Sequence, residues 1–446
     1  MKSRISLFVL WVSMFLQATH AQESLDKLIE QELPALVTTY KTLHAAPELS
    51  GHEGKTSAFL AKGLRALGYT VTERVGKYDD SNLVCYGVAA IMKNGNGPTI
   101  LVRADMDALP VDERTGLPYA SKVRTKNDQG LDVGVMHACG HDIHVTSLLG
   151  TAKVLAQLKD SWRGTLVLIG QPAEELGTGA DAMLRDELYT RFPKPDYILA
   201  LHDHSSIEAG KIGYCPGYAL ANVNSVDITI RGVGGHGSQP QSTKDPIVVA
   251  AQVVMALQMI VSRENNPLDP AVVTVGSIHG GAKHNIIPDE VKLQLTVRSY
   301  KEEVRKRIIA SIERITKGIA AAAGIPQDRA PIVEVDKTMS KATYNDPGLT
   351  ERLAKVWEYA LGKENVVKLD PMMFGEDVGV FSLEGHQIPL CNFFVGAVDP
   401  AVVAKSKSEG IMLPSLHSST FAPLPEPTLR TGVKAMTTAV LELMKK

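Results

Sequence analysis

Short apolar runs that each end in a cluster of polar residues constrain this chain more than any other feature. Residues 165–170 (TLVLIG) precede residues 171–175 (QPAEE), and residues 197–201 (YILAL) precede residues 202–204 (HDH). Such runs predict buried strands, and the stretches between them have the three- and four-residue apolar spacing of helices. Strands that alternate with helices predict an α/β fold whose site lies at the carboxyl ends of the strands.

The densest group of potential metal ligands is at residues 136–144 (MHACGHDIH), where a thiol, three imidazoles and a carboxylate fall within nine residues. Residues 145–158 have helical spacing, so the group lies on a loop that leads into a helix. Cys139 and His141 flank a glycine, which lets the backbone turn and aim both side chains at one point. A buried cysteine with capping histidines is the alternative, but this combination of residues favours metal binding.

The length of 446 residues predicts two domains, because one hydrophobic core rarely organises so long a chain. Between about residues 223 and 338 the patterns follow the order βαββαβ, which is typical of a ferredoxin-like α+β unit. We therefore predict an α/β domain with an inserted ferredoxin-like unit. The predicted ranges are a signal peptide at 1–21, a catalytic domain at 22–222 and 341–446, and the insert at 223–340.

The first 21 residues have the pattern of a secretory signal peptide. Lys2 and Arg4 precede an apolar run at residues 7–16, and a short polar stretch ends at Ala21, which predicts cleavage at that point. An uncleaved anchor is the alternative, but the run is too short to cross about 30 Å of hydrocarbon. We therefore predict an exported protein, periplasmic or secreted, with no membrane contact after signal cleavage.

Charge and cysteine content exclude other classes of protein. A formal charge of -2 without a basic run leaves no electrostatic footprint for nucleic acid, so we expect no nucleic-acid partner. Four cysteines are too few for a disulfide scaffold in a chain of this length. If Cys139 is a ligand, at most one disulfide can form among the others.

Glu174 and Glu175 are adjacent at the end of a predicted strand. Successive side chains there point in different directions, so one carboxylate can bind a metal ion while the other takes a proton from the attacking water. A solvated surface pair is the alternative for a bare Glu-Glu dipeptide. The position after an apolar strand favours a functional pair.

Two further histidines complete a possible ligand set. His202 directly follows an apolar run, and His417 lies near the end of the chain. Each alone is more often structural, but with Cys139, His141 and a glutamate they make five N, S and O donors, enough for two divalent ions. Mixed donors of this kind suit zinc, manganese, cobalt or nickel.

The insert contributes three candidate substrate contacts. His236 lies among four glycines in residues 231–240, where a tight turn with an exposed imidazole is the alternative. Asn285 and Arg298 belong to the same insert, and an arginine with an amide suits a carboxylate. A surface ion pair is the alternative for Arg298.

Taken in order, the motifs of this chain resemble those of the dinuclear metallohydrolases that include aminoacylases and glutamate carboxypeptidases. Within them the chain is most similar to the branch of hippurate hydrolase and indole-acetyl-amino-acid (auxin conjugate) amidohydrolases. The stretches that carry the resemblance are HAAPELSGHEGKT from His44, RADMDALPVDERTGLPYAS from Arg103, MHACGHDIH from Met136, QPAEE from Gln171, GGHGSQP from Gly234, HNIIPDEVKLQLTVRS from His284 and FGEDVGVFS from Phe374.

The resemblance implies a metallopeptidase-like catalytic domain with a mixed sheet flanked by helices, and a role for each site residue. The ligands of two divalent ions would be Cys139, His141, Glu175, His202 and His417. Glu174 would be the general base and acid, and Asp107 would orient a ligand histidine. His204, two residues after His202, leaves open which of these two imidazoles binds.

For the insert, the resemblance implies a lid and dimerisation domain, so we expect a homodimer. His236 would reach the active site of the partner subunit and polarise the scissile carbonyl, while Asn285 and Arg298 would hold the substrate's carboxylate. Together with the signal-peptide pattern, the resemblance predicts an exported metal-dependent amidohydrolase that cleaves the amide bond of N-acyl amino acids or similar small amides with a free carboxylate. A carboxypeptidase or dipeptidase is the first alternative, and a non-catalytic binding protein is a remote one.

Overall fold

The structure is a computed structural model that describes residues 2–80, 83–336 and 340–445, with side chains from residue 23 onward. It separates into unit 1, which comprises Met1–Gly217, Tyr344–Asp370 and Val380–Lys446, and unit 2, which comprises Tyr218–Thr343 and Pro371–Gly379. The predicted domain boundaries stay a prediction. They assign Pro371–Gly379 to the catalytic domain, whereas this segment belongs to unit 2.

Both units contain helices and strands, which are numbered in chain order. The helices are α1 (Lys2–His44), α2 (Gly54–Ala66), α3 (His141–Gln157), α4 (Gly179–Arg185), α5 (Leu188–Arg191), α6 (Pro246–Met259), α7 (Glu302–Ala322), α8 (Pro347–Leu361), α9 (Pro400–Glu409) and α10 (Pro425–Met444). The strands are β1 (Thr70–Val75), β2 (Gly87–Asn94), β3 (Thr99–Asp105), β4 (Arg124–Lys126), β5 (Asp132–Gly134), β6 (Gly164–Gln171), β7 (Tyr197–Glu208), β8 (Ile212–Tyr214), β9 (Gly217–Leu220), β10 (Asn222–Arg231), β11 (Gly235–His236), β12 (Ala271–Gly280), β13 (Ile286–Ile287), β14 (Glu290–Ser299), β15 (Ile332–Val335), β16 (Thr343–Asn345), β17 (Val366–Lys368) and β18 (Leu390–Val398).

Unit 1 is built on an eight-stranded mixed sheet with the strand order β1-β2-β6-β3-β7-β18-β8-β17. Strands β6, β3, β7 and β18 are parallel neighbours, whereas β1 and β2 are antiparallel. The central strands β3 and β6 are buried almost throughout, which explains their continuous apolar runs. The α/β prediction is confirmed, and the carboxyl ends of β6, β3 and β7 lie side by side.

Helices cover the sheet of unit 1 and bury its large aromatic residues. Trp162 and Trp357 are fully buried, and their indole N–H groups donate 2.9 Å hydrogen bonds to the carbonyls of Leu155 and Ala435. Buried indoles keep their packing energy only if the N–H finds an acceptor. These helical carbonyls supply it, so the core carries no penalty at either position.

Three helices begin in the same way, with an aspartate before a proline. The side chain of the aspartate accepts a hydrogen bond from an amide in the first turn of α6, α8 and α9, and proline occupies the first helical position. Proline lacks the N–H that would remain unsatisfied there, and aspartate is among the best N-terminal caps. The Asp-Pro dipeptides therefore fix where these helices start.

Two predicted boundaries near the polar clusters are wrong. Strand β7 continues to Glu208 instead of ending at residue 201, because β18 pairs with it in parallel through His202 and His204. Helix α3 begins at His141 instead of residue 145, and Asp142 lies in its first turn, where a carboxylate is favoured by the helix dipole. Backbone pairing and capping thus extend both elements through the polar clusters.

The N-terminal helix is longer than the apolar spacing of the sequence indicates. Residues 24–44 have helical spacing, but α1 extends from Lys2 to His44. Met1 and the side chains of residues 2–22 lie outside the described part of the structure, and the predicted signal peptide falls on them. Export and signal cleavage therefore stay predictions.

Unit 2 contains the predicted βαββαβ order in β10, α6, β12, β14, α7 and β15. Its antiparallel sheet has the strand order β12-β14-β10-β15, so β12 and β15 are edges. Helices α6 and α7 pack on this sheet around a separate core. The short pair β11 and β13 is an addition that the apolar patterns do not predict.

In the part of the chain that the structure describes, one helical stretch, Pro246–Glu264, is long and apolar enough to cross a membrane by length and composition alone. It comprises α6 and the turn after it. Val249, Val253 and Leu257 are buried in the core of unit 2. The core helix of a globular domain meets the same criterion of length and composition. This stretch therefore does not test the expectation of no membrane contact, which stays a prediction.

Candidate metal centre

The predicted ligands are positioned by neighbouring elements of unit 1. Glu174 and Glu175 follow β6, and His202 lies within β7. Cys139 precedes α3, and His141 is the first residue of that helix. Since β6, β3 and β7 are parallel neighbours, the side chains that follow or end them meet at one edge of the sheet.

His417 joins this group from the loop between α9 and α10. Its amide donates a 2.8 Å hydrogen bond to the carbonyl of Ala138. Its backbone has a φ of 66°, a left-handed conformation that residues with a Cβ seldom adopt. The ring Nε2 lies 3.3 Å from Cys139 Sγ and 3.3 Å from Glu175 Oε1. A strained backbone at a site of converging side chains is typical of functional residues.

The other predicted ligands also lie close to one another. His202 Nε2 lies 3.6 Å from Cys139 Sγ, and His141 Nε2 lies 3.9 Å from both Glu174 Oε2 and Glu175 Oε1. Among the overlapping groups of donors that could each hold an ion, three together contain the predicted ligands: Cys139 with His141 and His202, Cys139 with Glu175 and His417, and His141 with Glu174 and Glu175. Unit 1 therefore brings together all five predicted ligands, with Glu174 beside them.

These residues fit divalent metal ions on two grounds. His141 Nε2 and Glu175 Oε1 are buried, and no residue in the described ranges forms a hydrogen bond with either atom. Buried polar atoms are rarely left without a partner unless an ion or water completes them. The donors are a thiol, imidazoles and a carboxylate, the set that zinc and similar ions prefer.

The charges at the site also favour a cation. Burial and the carboxylates of Glu175 and Glu174 raise the pKa of the Cys139 thiol well above its ordinary value. Burial lowers the pKa of His141, but the carboxylates of Asp105 and Asp107 outweigh it and raise that pKa well above its ordinary value. Negative charge from nearby carboxylates contributes to both shifts. A divalent cation would neutralise that charge.

Hydrogen bonding orients the ring of His202 toward the other donors. Its Nδ1–H donates a 2.7 Å hydrogen bond to the carbonyl of Asp203, and the other ring nitrogen, Nε2, faces Cys139. Ligand histidines are commonly fixed by such a bond. His204 instead packs edge-on against Phe394. The geometry therefore favours His202 over His204 as the ligand.

Asp107 lies where the resemblance places a residue that orients a ligand. Its Oδ1 is 3.2 Å from His141 Nδ1, and its Oδ2 accepts hydrogen bonds from the Ser50 hydroxyl and the Glu175 amide, at 2.7 and 3.0 Å. Burial raises the pKa of Asp107, but the contact with His141 and these bonds outweigh it and lower that pKa. An ionised Asp107 can thus fix the ring of His141 and the backbone of Glu175.

A buried polar layer beneath the ligands is absent from the sequence prediction. His144 contacts Asp105 through Nδ1, and its Nε2 lies 3.0 Å from Asp203 Oδ1. Arg103 pairs with Asp105 and donates a 2.8 Å hydrogen bond to Gln171 Oε1. Apart from Asp203, which follows His202, these residues belong to the quoted motifs, and this membership is the signal that could have revealed them. Their spacing does not reveal the contacts.

Gly140, between Cys139 and His141, is required for two reasons. It has a φ of 75°, and a Cβ on it would lie 2.3 Å from Asp203 Oδ1. Only glycine combines this left-handed backbone with such a close approach. The predicted turn at this glycine is confirmed.

The three candidate substrate contacts belong to unit 2. His236 is exposed on β11, and its Nδ1 accepts hydrogen bonds from the amide and hydroxyl of Ser238, at 3.1 and 2.7 Å. Asn285 is also exposed, and its carbonyl accepts a bond from the Gly237 amide. Arg298 is partly buried on β14, and its Nη1 donates a 2.8 Å bond to the carbonyl of Met373.

Comparison with known proteins gives matches along most of the chain. Residues 101–420 match the sequence pattern of peptidase family M20/M25/M40. Thermostable carboxypeptidase 1 of Saccharolobus solfataricus is 35% identical over 90% of this chain and 93% of its own length. Hippurate hydrolase of Campylobacter jejuni is 38% identical over 76% of this chain and 82% of its own length.

A solved structure agrees with these sequence matches. The YXEP protein of Bacillus subtilis, described as a dinuclear metal binding peptidase from the M20 family, is similar with a TM-score of 0.72 and 26% identity. The similarity covers 93% of this chain and 99% of that one. As the motifs predicted, this chain belongs to peptidase family M20/M25/M40.

Proposed function

We propose that this protein is an exported, metal-dependent amidohydrolase that cleaves the amide bond of N-acyl amino acids bearing a free carboxylate. The observation that carries the proposal is the meeting of five metal donors with one further glutamate in unit 1. Hippurate hydrolase, a relative along most of this chain, supports an N-acyl amino acid as substrate.

The donor set fits two divalent ions, and the YXEP protein is described as a dinuclear metal binding peptidase. When bound, such ions lower the pKa of a water molecule toward neutrality and stabilise negative charge on the substrate. Glu174 lies beside the ligand His141 without being needed in the ligand set. It is therefore suited to take the proton of the attacking water and return it to the leaving amine.

His236 would donate a hydrogen bond to the carbonyl oxygen of the substrate. Because Nδ1 accepts the hydrogen bond of the Ser238 amide, the proton of the neutral ring is on Nε2, and a donor is what a developing oxyanion needs. Arg298, fixed by the carbonyl of Met373, and Asn285 would hold the carboxylate of the substrate.

A homodimer formed through unit 2 is supported by an apolar surface and an open sheet edge. Strand β12 is an edge of its sheet, and an edge strand can pair with the same strand of a second copy around a two-fold axis. Helix α6 and the turn after it expose apolar side chains at Ile247, Val248, Met255, Met259 and Val261. The partner subunit's His236 would then serve the active site of this subunit.

Hydrolysis of peptides by a carboxypeptidase or dipeptidase is the second candidate function. The 35% identity to thermostable carboxypeptidase 1 favours it, and the same residues would serve it. A non-catalytic binding protein is a remote third possibility. The presence of Glu174 beside the complete donor set argues against it.

A substrate panel separates these functions. The metal-stripped protein is reloaded with zinc, manganese, cobalt or nickel and tested on N-acetyl and N-benzoyl amino acids, on dipeptides, and on the same compounds with an amidated carboxyl group. We expect kcat/KM to be at least about tenfold higher for N-acyl amino acids than for dipeptides and to fall when the carboxylate is blocked. A preference for dipeptides would favour the peptidase, and no hydrolysis would favour the binding protein.

Export is tested separately. The full chain is expressed in a bacterium, and the N-terminus of the protein recovered outside the cytoplasm is determined. We expect it to begin at Gln22. An intact N-terminus or retention in the cytoplasm would contradict export.

A further inference from the structure

The segment at residues 48–53 (ELSGHE) is part of a family motif, but the proposed mechanism gives it no role. It connects α1 to α2 and lies against the loop after β3, where the Ala108 amide donates a 2.8 Å hydrogen bond to the Glu48 carbonyl. The Ser50 hydroxyl donates to Asp107 Oδ2. The segment is therefore attached to the aspartate that contacts a ligand histidine.

Glu53 reaches from this segment to the turn that carries the two active-site glutamates. Its side chain is buried, and its Oε1 accepts 2.8 Å hydrogen bonds from the amides of Gly51 and Ala173. The first bond is local. The second crosses to the residue that directly precedes Glu174 and Glu175.

Ala173 needs such a contact because its backbone is strained. It is fully buried with a φ of 50°, a left-handed conformation that a residue with a Cβ adopts only when its surroundings impose it. Two amides of this turn are held by carboxylates, Ala173 by Glu53 and Glu175 by Asp107 at 3.0 Å. Glu174 lies between the two held amides.

We propose that Glu53 is a positioning residue that holds the turn at Ala173 and thereby aims Glu175 at the metal ions and Glu174 at the water. The inference rests on the proposed function for the roles of these glutamates. Glu53 itself is assigned no contact with substrate or metal. It acts through the backbone of the turn.

The test compares Glu53→Ala with Glu53→Gln, because the glutamine oxygen can still accept both hydrogen bonds. Metal affinity is measured by competition with a chelator, and kcat, KM and the melting temperature are measured on the same preparations. For Glu53→Ala we expect metal affinity and kcat each to fall about 10- to 100-fold, with KM within about threefold of the parent value. Glu53→Gln should stay within about threefold of the parent in every quantity.

Glu48→Ala is the matched control. Glu48 Oε2 accepts hydrogen bonds from the amides of Lys55 and Thr56, at 2.9 and 2.8 Å, so its side chain supports the same helix start without touching the turn at Ala173. We expect Glu48→Ala to lower the melting temperature but to leave metal affinity and kcat within about threefold of the parent.

Three results would overturn the inference. The first is parental metal affinity and kcat in Glu53→Ala. The others are losses of metal affinity and kcat in Glu53→Gln, or in Glu48→Ala, that are as large as those in Glu53→Ala. If Glu53→Ala does not fold, Glu53→Asp replaces it, since its side chain is one methylene too short to reach Ala173. If the parent hydrolyses none of the panel substrates, the proposed function fails, and chelator competition alone still decides whether Glu53 holds the turn.

Discussion

Glu174 and Glu175 are chemically identical neighbours for which we propose different roles. Glu175 Oε1 lies 3.3 Å from His417 and 3.9 Å from His141, within the donor set, and Glu174 Oε2 lies 3.9 Å from His141. Ala173, which directly precedes this pair, has a strained backbone with a φ of 50°. A metallohydrolase needs this separation, because a carboxylate that binds metal cannot also carry the proton.

Replacing each glutamate by alanine in a separate variant tests these two roles. Glu174→Ala should keep the parental metal content and lose about 10²- to 10⁴-fold in kcat, because the proton acceptor is gone and the ligands remain. Glu175→Ala, the matched control, should lose metal together with activity. Metal analysis and steady-state kinetics on both variants provide the measurement, and parental turnover in Glu174→Ala would remove that residue from the mechanism.

At the scale of elements, the end of α1 is linked to the start of α3 by a buried cluster that the metal site does not contain. His44 Nδ1 lies 2.7 Å from Asp142 Oδ2, and its Nε2 lies 3.1 Å from Glu113 Oε1. Burial lowers the pKa of His44, but the hydrogen bonds to these two carboxylates outweigh it and raise the pKa to about 10. The cluster therefore holds a protonated imidazole between two carboxylates.

This cluster predicts a pH-dependent contribution to stability. A folded-state pKa above the unfolded value of about 6.5 means that the contribution of His44 is complete below about pH 6.5 and is lost as the pH rises toward about 10. Burial raises the pKa of Asp142, but the charge of His137 and the hydrogen bond of His44 outweigh it and lower that pKa. Burial also raises the pKa of Glu113, and the hydrogen bond of His44 outweighs it there. Their contributions are therefore present above about pH 4 and lost in acid.

His44→Gln should lower the free energy of unfolding by about 1–3 kcal/mol near pH 6, and by clearly less at pH 9. Urea unfolding of parent and variant at both pH values, with chelator present so that metal loss does not contribute, measures the difference. A difference that is the same at both pH values would show that His44 is not held in its protonated form.

Spacing and apolar pattern predict the features whose residues are neighbours along the chain. Cys139 and His141 flank a glycine before a helix, and Glu174 and Glu175 follow an apolar strand, so each pair is recognisable without a structure. The end of β7 cannot be recognised from the sequence. Strand β7 pairs with β18, nearly 200 residues later, and this pairing extends β7 past His202. Long-range pairing leaves no trace in local pattern.

At the scale of the whole chain, residue type makes His417 a candidate ligand, but only the resemblance assigns it to the metal site. Its backbone is strained and its loop is attached to the ligand segment by a hydrogen bond to Ala138, neither of which has a local sequence signature. The contacts of Asp105, His144 and Asp203 could not be predicted either, because they join three different elements. The order βαββαβ of unit 2, by contrast, follows from its regular apolar patterns.

The proposed dimer makes a prediction that only two subunits together can fulfil. His236→Ala should lose most activity with its metal ions in place, and Glu174→Ala should do the same for a different reason. When the two inactive variants are dissociated, mixed in equal amounts and reassociated, about one quarter of parental activity should return, since half the dimers are mixed and one site in each is complete. No recovery from verified mixed dimers would exclude the cross-subunit role of His236.

The proposed chemistry requires that five side chains between residues 139 and 417 bind a pair of divalent ions, and metal stoichiometry measures this binding. Protein purified with added zinc or manganese, then dialysed, is analysed by mass spectrometry of its metal content, alongside Cys139→Ala and His417→Ala. We expect about two ions per chain for the parent and about one or fewer for each variant. A parent without bound ions, or variants that retain two, would contradict the proposed metal centre.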